Sequence, residues 1–527
     1  MTEICLRLDG LPLALELAAA RVKLLAPQAI LSRLNDQLKL LTGGARDLPA
    51  RHQTLRNTLE WSYSLLNDDE KKLYARLSVF VGGFTLEAAE AVCNAENKFD
   101  ILEGLTALVD NSLLRQEEVN GEARFGMLET IRAYAVERLA ESGETPALQA
   151  NHAQYFGNII LNQAGTEIYS PQALHWLTWF ERELDNIRAM LNWSLTTPQG
   201  NQLGVGCIMM LFWFMYRRGY FIEGLQWAEK FLALPAVQII PPMRALALAS
   251  SGMMALWQGQ QETALAKLQE ALAIQLRLED DRMVASTQMA NGIAFINMGR
   301  DGDAKPLLEA ASQFFEANNP YFHALTLVHL GNAELGLGHP DQAYAYHSKA
   351  EAVARQINEN WLLSFALNNL GEVARTQGQY ELARKYYEEC EALLPDSGDK
   401  GDRARFVHSL GYSAQHEGDD RRAESQFRKS LKMFRQLGNR RGMAECMAGL
   451  AGLKARQGQA EWGAVMLSAA DSVLKATGGA WWPADRVEVE ANQEFILSAL
   501  GEAEWNAAQI KGRAMTLEQA LAFAAES

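Results

Sequence analysis

NNLGEVARTQGQYELARKYY, residues 368–387, reads as helix, tight turn, helix, and it decides the fold because the chain keeps repeating it. Its turn glycine, Gly378, belongs to a series with Gly219, Gly259, Gly299, Gly338, Gly418 and Gly458, in which successive gaps are 40, 40, 39, 40, 40 and 40 residues. A second glycine lies seven residues before five of these, at Gly252, Gly292, Gly331, Gly371 and Gly411. An alanine follows five residues after, at Ala264, Ala304, Ala343, Ala383 and Ala423. The first glycine lets two helices approach closely, the second supplies a turn with positive φ, and the alanine fits where the second helix crosses the first. Phe365, Leu367 and Leu370 before the turn, and Tyr380, Ala383, Tyr386 and Tyr387 after it, fall at helical spacing. No unit can bury its own apolar stripe, so the units must stack into a superhelix.

This pattern resembles the tetratricopeptide repeat, lengthened by about six residues over the usual ~34, which fits helices one to two turns longer. The expected fold class is mainly α: a tetratricopeptide-like superhelix over 201–475, about seven repeats, preceded by a small winged-helix domain.

Composition sets bounds. The chain has 527 residues, 48% hydrophobic and 21% charged, ordinary for a globular protein. A net charge of −15 argues against broad affinity for nucleic acid or anionic membrane. Cys5, Cys93, Cys207, Cys390 and Cys446 are scattered and read as buried thiols in a reducing cytoplasm. The longest apolar run, 203–216, is broken by Gly204 and Gly206 and too short to span a bilayer comfortably, so it reads as the first helix of the array. A cytoplasmic, membrane-free protein is expected.

Toward the N-terminus, GLPLALELA (10–18) resembles the helical-subdomain motif of NB-ARC and related STAND-type signalling ATPases. The resemblance places Pro12 against bound nucleotide when the ATPase domain is present. No G-x-x-x-x-G-K-[ST] loop occurs in the chain, so ATP or ADP with Mg²⁺ would belong to a missing nucleotide-binding domain, and no cofactor is expected here. Residues 1–46 read as a remnant of that subdomain and 47–146 as a winged helix. RHQTLRNTLEWSYSLL (51–66), a hairpin signal at Asn120-Gly121 and MLETIRAYAVERL (127–139) are similar to the winged helix of bacterial STAND regulators of the LuxR/AfsR-like kind. In that family a Met-His-Asp motif clamps nucleotide. Met127, Leu128 and Glu129 occupy its places, and leucine cannot hydrogen-bond a phosphate. Asn67 with Glu70, and Thr85, read as helix caps.

Winged helices often bind DNA, yet residues 51–145 hold 10 Lys and Arg against 17 Asp and Glu, so phosphate repulsion dominates and no direct nucleic-acid contact is expected. Residues 147–200 read as connector and N-terminal cap, with Trp176, Phe180, Leu184, Ile187 and Leu191 on one helical face. Residues 476–527 read as a C-terminal helical cap.

No catalytic motif and no metal-ligand spacing is found. Asp396, Asp399 and Asp402 read as a solvated linker, and His408 and His416 as surface or groove residues. The repeat resemblance implies that first helices line a concave groove, three before and one, four and five after their glycine: Met289, Asn297, Asn332, Asn368, Glu372, Arg375, His408, Tyr412 and Gln415. Trp213, Tyr216, Arg217 and Trp257 come from the first units. Any one of these could instead satisfy helix ends or pack; as a set they suit a peptide, protein or small polar ligand. The expected function is a non-enzymatic sensor region of a STAND-type ATPase that controls the nucleotide switch. The alternatives are a stand-alone interaction scaffold and part of a transcriptional regulator whose DNA-binding module lies elsewhere.

Overall fold

The computed structural model describes Gln28 and residues 55–94, 100–119, 121–393 and 400–525. The helical-subdomain remnant with Pro12, and the linker carboxylates Asp396 and Asp399, lie outside the described residues. The chain forms two compact units, residues 1–159 with 179–204, and residues 160–178 with 205–527. The stretch expected to be a single connector is thus divided between them.

In the first unit, helices Leu55–Ser64, Asp68–Leu77, Leu86–Cys93 and Ile101–Asp110 precede a hairpin and the helix Glu129–Ser142. Asn67 caps its helix by accepting from the Asp69 and Glu70 amides at 3.0 and 2.9 Å, while Glu70 accepts from the Asn67 amide at 2.8 Å, a reciprocal capping box. Thr85 caps Leu86–Cys93 by accepting from the Ala88 amide. A short strand, β1 (Phe84–Thr85), adds to the hairpin of β2 (Arg115–Val119) and β3 (Glu122–Gly126), giving the antiparallel order β1-β3-β2. Two residues carry no alternation, so the sequence offered no sign of β1. Leu73, Leu105, Leu108 and Tyr134 form the buried centre, and Tyr74 donates to the Ile131 carbonyl at 2.9 Å.

The face expected to run unbroken from Trp176 to Leu191 is interrupted at Glu183, between helices Ala173–Arg182 and Leu184–Ser194. The Glu183 carboxylate accepts from Arg124 of β3 and from Asn186 Nδ2. Asn186, fully buried, also accepts from the Val81 amide at 2.8 Å and donates to the Gly83 carbonyl at 2.9 Å, which fixes the Gly82-Gly83 turn. Asn186→Ala strands these groups and is expected to cost about 1–3 kcal/mol, read as a lower thermal midpoint of the winged-helix unit.

In the second unit, seven helix pairs stand among the described residues: Phe212–Arg218 with Phe221–Leu232, Pro241–Trp257 with Gln261–Arg277, Asp281–Asn297 with Asp301–Asn318, Pro320–Gly336 with Pro340–Gln356, Asn360–Thr376 with Tyr380–Leu393, Lys400–His416 with Asp420–Leu437, and Arg440–Arg456 with Ala460–Lys475. The apolar run read as one helix breaks at Leu211, between Pro198–Met210 and Phe212–Arg218. Gly378 takes φ 74°, and the other six turn glycines likewise lie between 72° and 89°. A Cβ on Gly371 would stand 2.4 Å from the Tyr387 ring, so bare backbone is what lets each second helix drive a large side chain, sixteen residues on, into the first. Leu268, Leu308, His347 and Phe427 do the same to Gly252, Gly292, Gly331 and Gly411.

The array curls until its first pair meets its sixth. Leu437 lies against Gly219, and the Tyr216 hydroxyl donates to Asp402 Oδ1 at 3.3 Å. Helices Glu502–Arg513 and Leu517–Ala525 pack on Ala460–Lys475 and close the C-terminal end. Among the described residues no helix is long and apolar enough to cross a membrane.

Candidate functional site

The concave face of the array has two halves of different chemistry. In the polar half, the chain itself supplies the occupant. The helix Pro483–Leu500, expected as part of an end cap, runs across the first helices of the fourth to seventh pairs. It buries Asp485, Glu488, Val489, Asn492 and Ile496, which share a single helical face.

Arg375 joins both carboxylates of this helix: Nη2 to Asp485 at 2.7 Å and Nη1 to Glu488 at 3.3 Å. His408 Nε2 lies 3.2 Å from Asp485 Oδ2, and His416 Nε2 lies 2.9 Å from Glu488. Trp482 donates its indole N–H to Glu372 at 2.5 Å, with Arg405 and Arg441 over its ring at 5.0 and 5.1 Å. Burial opposes charge on His408, but the charge and hydrogen bond of Asp485 outweigh it and push the imidazolium up to about 10. Burial likewise works against the Asp485 carboxylate, yet His408, Arg375 and Arg405 hold it well below the usual carboxylate range.

Six of the predicted groove residues therefore lie beneath or beside this helix and its Gly478-to-Pro483 lead-in. Asn297 accepts from Arg441 at 2.5 Å through its side chain and from the Ala480 amide at 2.8 Å through its carbonyl. Asn368 donates to Glu372 at 3.1 Å, and Tyr412 lies under the Arg375 guanidinium at 4.5 Å. With Glu372, Arg375 and His408 they are buried rather than displayed. Gln415 and Asn332 are buried as well. Asp402, read as linker, is a correction: it sits in the first turn of Lys400–His416, 6% exposed, and accepts from the Trp361 indole at 2.7 Å.

The aromatic half is different. Trp213, Tyr216 and Trp257 come together as expected, with ring centroids 5.5 Å apart for Trp213 and Tyr216 and 4.6 Å for Tyr216 and Trp257. Trp361 joins them at 5.2 Å from Trp213, and the Arg217 guanidinium lies over Trp361 at 5.4 Å. These rings and Met253, Met289 and Ile293 border a cavity of about 190 Å³. His329 reaches it from the interior, only 4% exposed, with Nδ1 lacking a hydrogen-bond partner among the described residues. Burial pushes its imidazole down to about 3, so it is neutral.

Trp361, Arg282 and His329 were not expected on the concave face, and Phe365 was read only as packing, though the period could have found all four. Arg282 and Trp361 stand ten residues before a repeat glycine, Phe365 six before and His329 two before. Reading two turns further back along each first helix recovers Arg282, Trp361 and Phe365.

In the first unit, Leu128 is half-buried at the start of Glu129–Ser142 and gives its helix no side-chain cap. The exposed residues of Ile101–Asp110 are Leu102, Glu103, Thr106 and Asp110, with no base among them. Among the described residues no group of three or more His, Cys, Asp or Glu side chains is placed to hold a metal ion.

Two family models match, a winged helix-turn-helix domain at residues 66–140 and a tetratricopeptide repeat at residues 322–396. The chain carries a winged helix-turn-helix domain and a tetratricopeptide array. It is homologous to a Mycobacterium tuberculosis protein provisionally named an HTH-type transcriptional regulator, 31% identical over 76% of this chain and 41% of that protein. The regulatory protein AfsR of Streptomyces griseus matches at 28% identity over 24% of this chain and 13% of AfsR. The chain thus spans less than half of either relative. Among solved structures, it is similar to a STAND protein with a tetratricopeptide-repeat sensor from Pyrococcus horikoshii, at 14% identity and TM-score 0.43, over 94% of this chain and 74% of that one.

Proposed function

We propose that this chain is the non-enzymatic sensor and regulatory region of a STAND-type signalling ATPase. A ligand taken up on the concave face of the array would bias the nucleotide switch of a module outside this chain. Such a ligand shifts the switch only by as much as it prefers one state over the other. The observation that carries the reading is the division of the concave face: the polar half is filled by the chain's own helix, while the aromatic half is left as a cavity among Trp213, Tyr216, Trp257 and Trp361. ATP or ADP and Mg²⁺ belong to the upstream module in this proposal. Pro12 would lie against the nucleotide, and Leu128 would take a sensor position without hydrogen-bonding it.

The homologous mycobacterial regulator favours a transcriptional output. With Glu103 and Asp110 on its exposed helix face, the winged helix of this chain is proposed to act as a switch element, and DNA would be read by another module. Translating the DNA upstream of the Met1 codon in frame tests the proposal. A G-x-x-x-x-G-K-[ST] loop followed by an acidic strand is the expected result. A stop codon with no P-loop gene beside it overturns the switch and favours a free-standing scaffold.

A further inference from the structure

We propose that the aromatic cavity of the array binds a small aromatic acid, its single ring held among Trp213, Trp257 and Trp361 and its carboxylate met by Arg282. This assignment rests on the sensor reading and names the ligand class for it.

Size comes first. A buried apolar cavity of about 150 Å³ accepts benzene, so about 190 Å³ suits one ring with a short side chain and is too small for a folded peptide segment. The walls are aromatic rings and methionines, which offer flat faces and adaptable packing. Met209, Met253 and Met283 are only half-buried, so the cavity reaches solvent.

Charge decides between an acid and a cation. A cluster of tryptophans and a tyrosine could in principle cage an ammonium group. Here, however, Arg217 already covers the Trp361 ring at 5.4 Å, and among the described residues Arg282 is the one charged side chain lining the cavity. Both repel a cation. Arg282 is exposed, so it stands at the rim, and it forms no ion pair among the described residues. The carboxylates beside it in sequence do not neutralise it directly: Asp280 is committed to capping its own helix through the Met283 amide, and Asp281 is exposed. Inside, the neutral His329 offers an unpartnered ring nitrogen, and a buried polar atom of this kind calls for a partner. Ser286, also in the lining, already donates to the Arg282 carbonyl at 3.0 Å. A hydroxyl on the ligand's ring would satisfy His329.

Titrating the full chain with 3-phenylpropionate, its alcohol 3-phenylpropan-1-ol and its three ring-hydroxylated isomers, followed by tryptophan fluorescence and calorimetry, tests this. The acid is expected to bind saturably at one site, roughly five-fold more tightly than the alcohol. Arg282→Gln, an exposed change that leaves the melting temperature of the free protein unaltered, erases that preference. Ile293→Trp fills the cavity and abolishes binding of both. One hydroxylated isomer binds more tightly than the parent, and His329→Leu removes the gain. Absence of saturable binding, equal affinity for acid and alcohol, or an unchanged preference in Arg282→Gln overturns the proposal; three isomers no tighter than the parent overturn the role of His329. Failure here leaves the upstream P-loop result untouched, so the ligand class and the sensor reading fail separately.

Discussion

Asp485→Ala lowers the stability of the array by about 3–5 kcal/mol, because it leaves Arg375, Arg405 and His408 as buried charges without their shared carboxylate. The loss greatly exceeds that from removing an exposed pair such as Lys511 and Glu461, whose attraction water screens. The pH dependence has a definite sign. His408 has a raised folded-state value, so its contribution is fully present below about 6.5, the ordinary histidine value, and fades as pH climbs through about 10. Asp485 has a depressed value, so its contribution holds above the ordinary carboxylate range and is lost only in strong acid. Melting temperatures measured from pH 6 to 10 should fall more steeply for the wild type than for His408→Gln. Parallel curves would mean that His408 is not held charged.

Phe427→Ala is the second large effect, again about 3–5 kcal/mol. The Phe427 ring is fully buried and fills the gap between two successive units. A Cβ on Gly411 would come within 2.7 Å of it, and one on Gly449 within 2.6 Å. The converse substitution tests the same contact from the other side. Gly449→Ala forces a methyl into a ring that cannot yield, and is expected to cost about 1–3 kcal/mol. Placed in the Phe427→Ala background, it should cost much less, since the ring it strikes is gone. Additive costs in the double variant would show that the two residues do not touch.

These predictions also show what could be read from the sequence. The period located seven turn glycines, five of the glycines that admit a large side chain, and seven helix pairs, because each rests on local geometry repeated at fixed spacing. Asn67, Thr85 and the hairpin at Gly121 were legible for the same reason. The aromatic residues Trp213, Tyr216 and Trp257 were placed together because all lie on first helices. The fate of the polar residues was not legible. Arg375 and His408 face Asp485 from 110 and 77 positions away, and nothing local in Pro483–Leu500 announces that its acidic face will turn into the groove. Its Asp485 and Glu488 look like ordinary solvated helix residues until the superhelix brings the cations round. The break at Glu183 is similar: a helical spacing that seemed continuous yields to an ion pair with Arg124, 59 residues earlier.

Hydrogen–deuterium exchange of the full chain, followed at the backbone amides of residues 486–496, tests most directly the claim that the polar half of the groove is closed and sensing is left to the aromatic half. The account predicts protection equal to that of the first helices Asn360–Thr376 and Lys400–His416, and lost together with them when the array unfolds. Exchange of 486–496 as fast as that of a fraying surface helix, with those first helices still protected, would mean that the helix leaves the groove freely, and would contradict it.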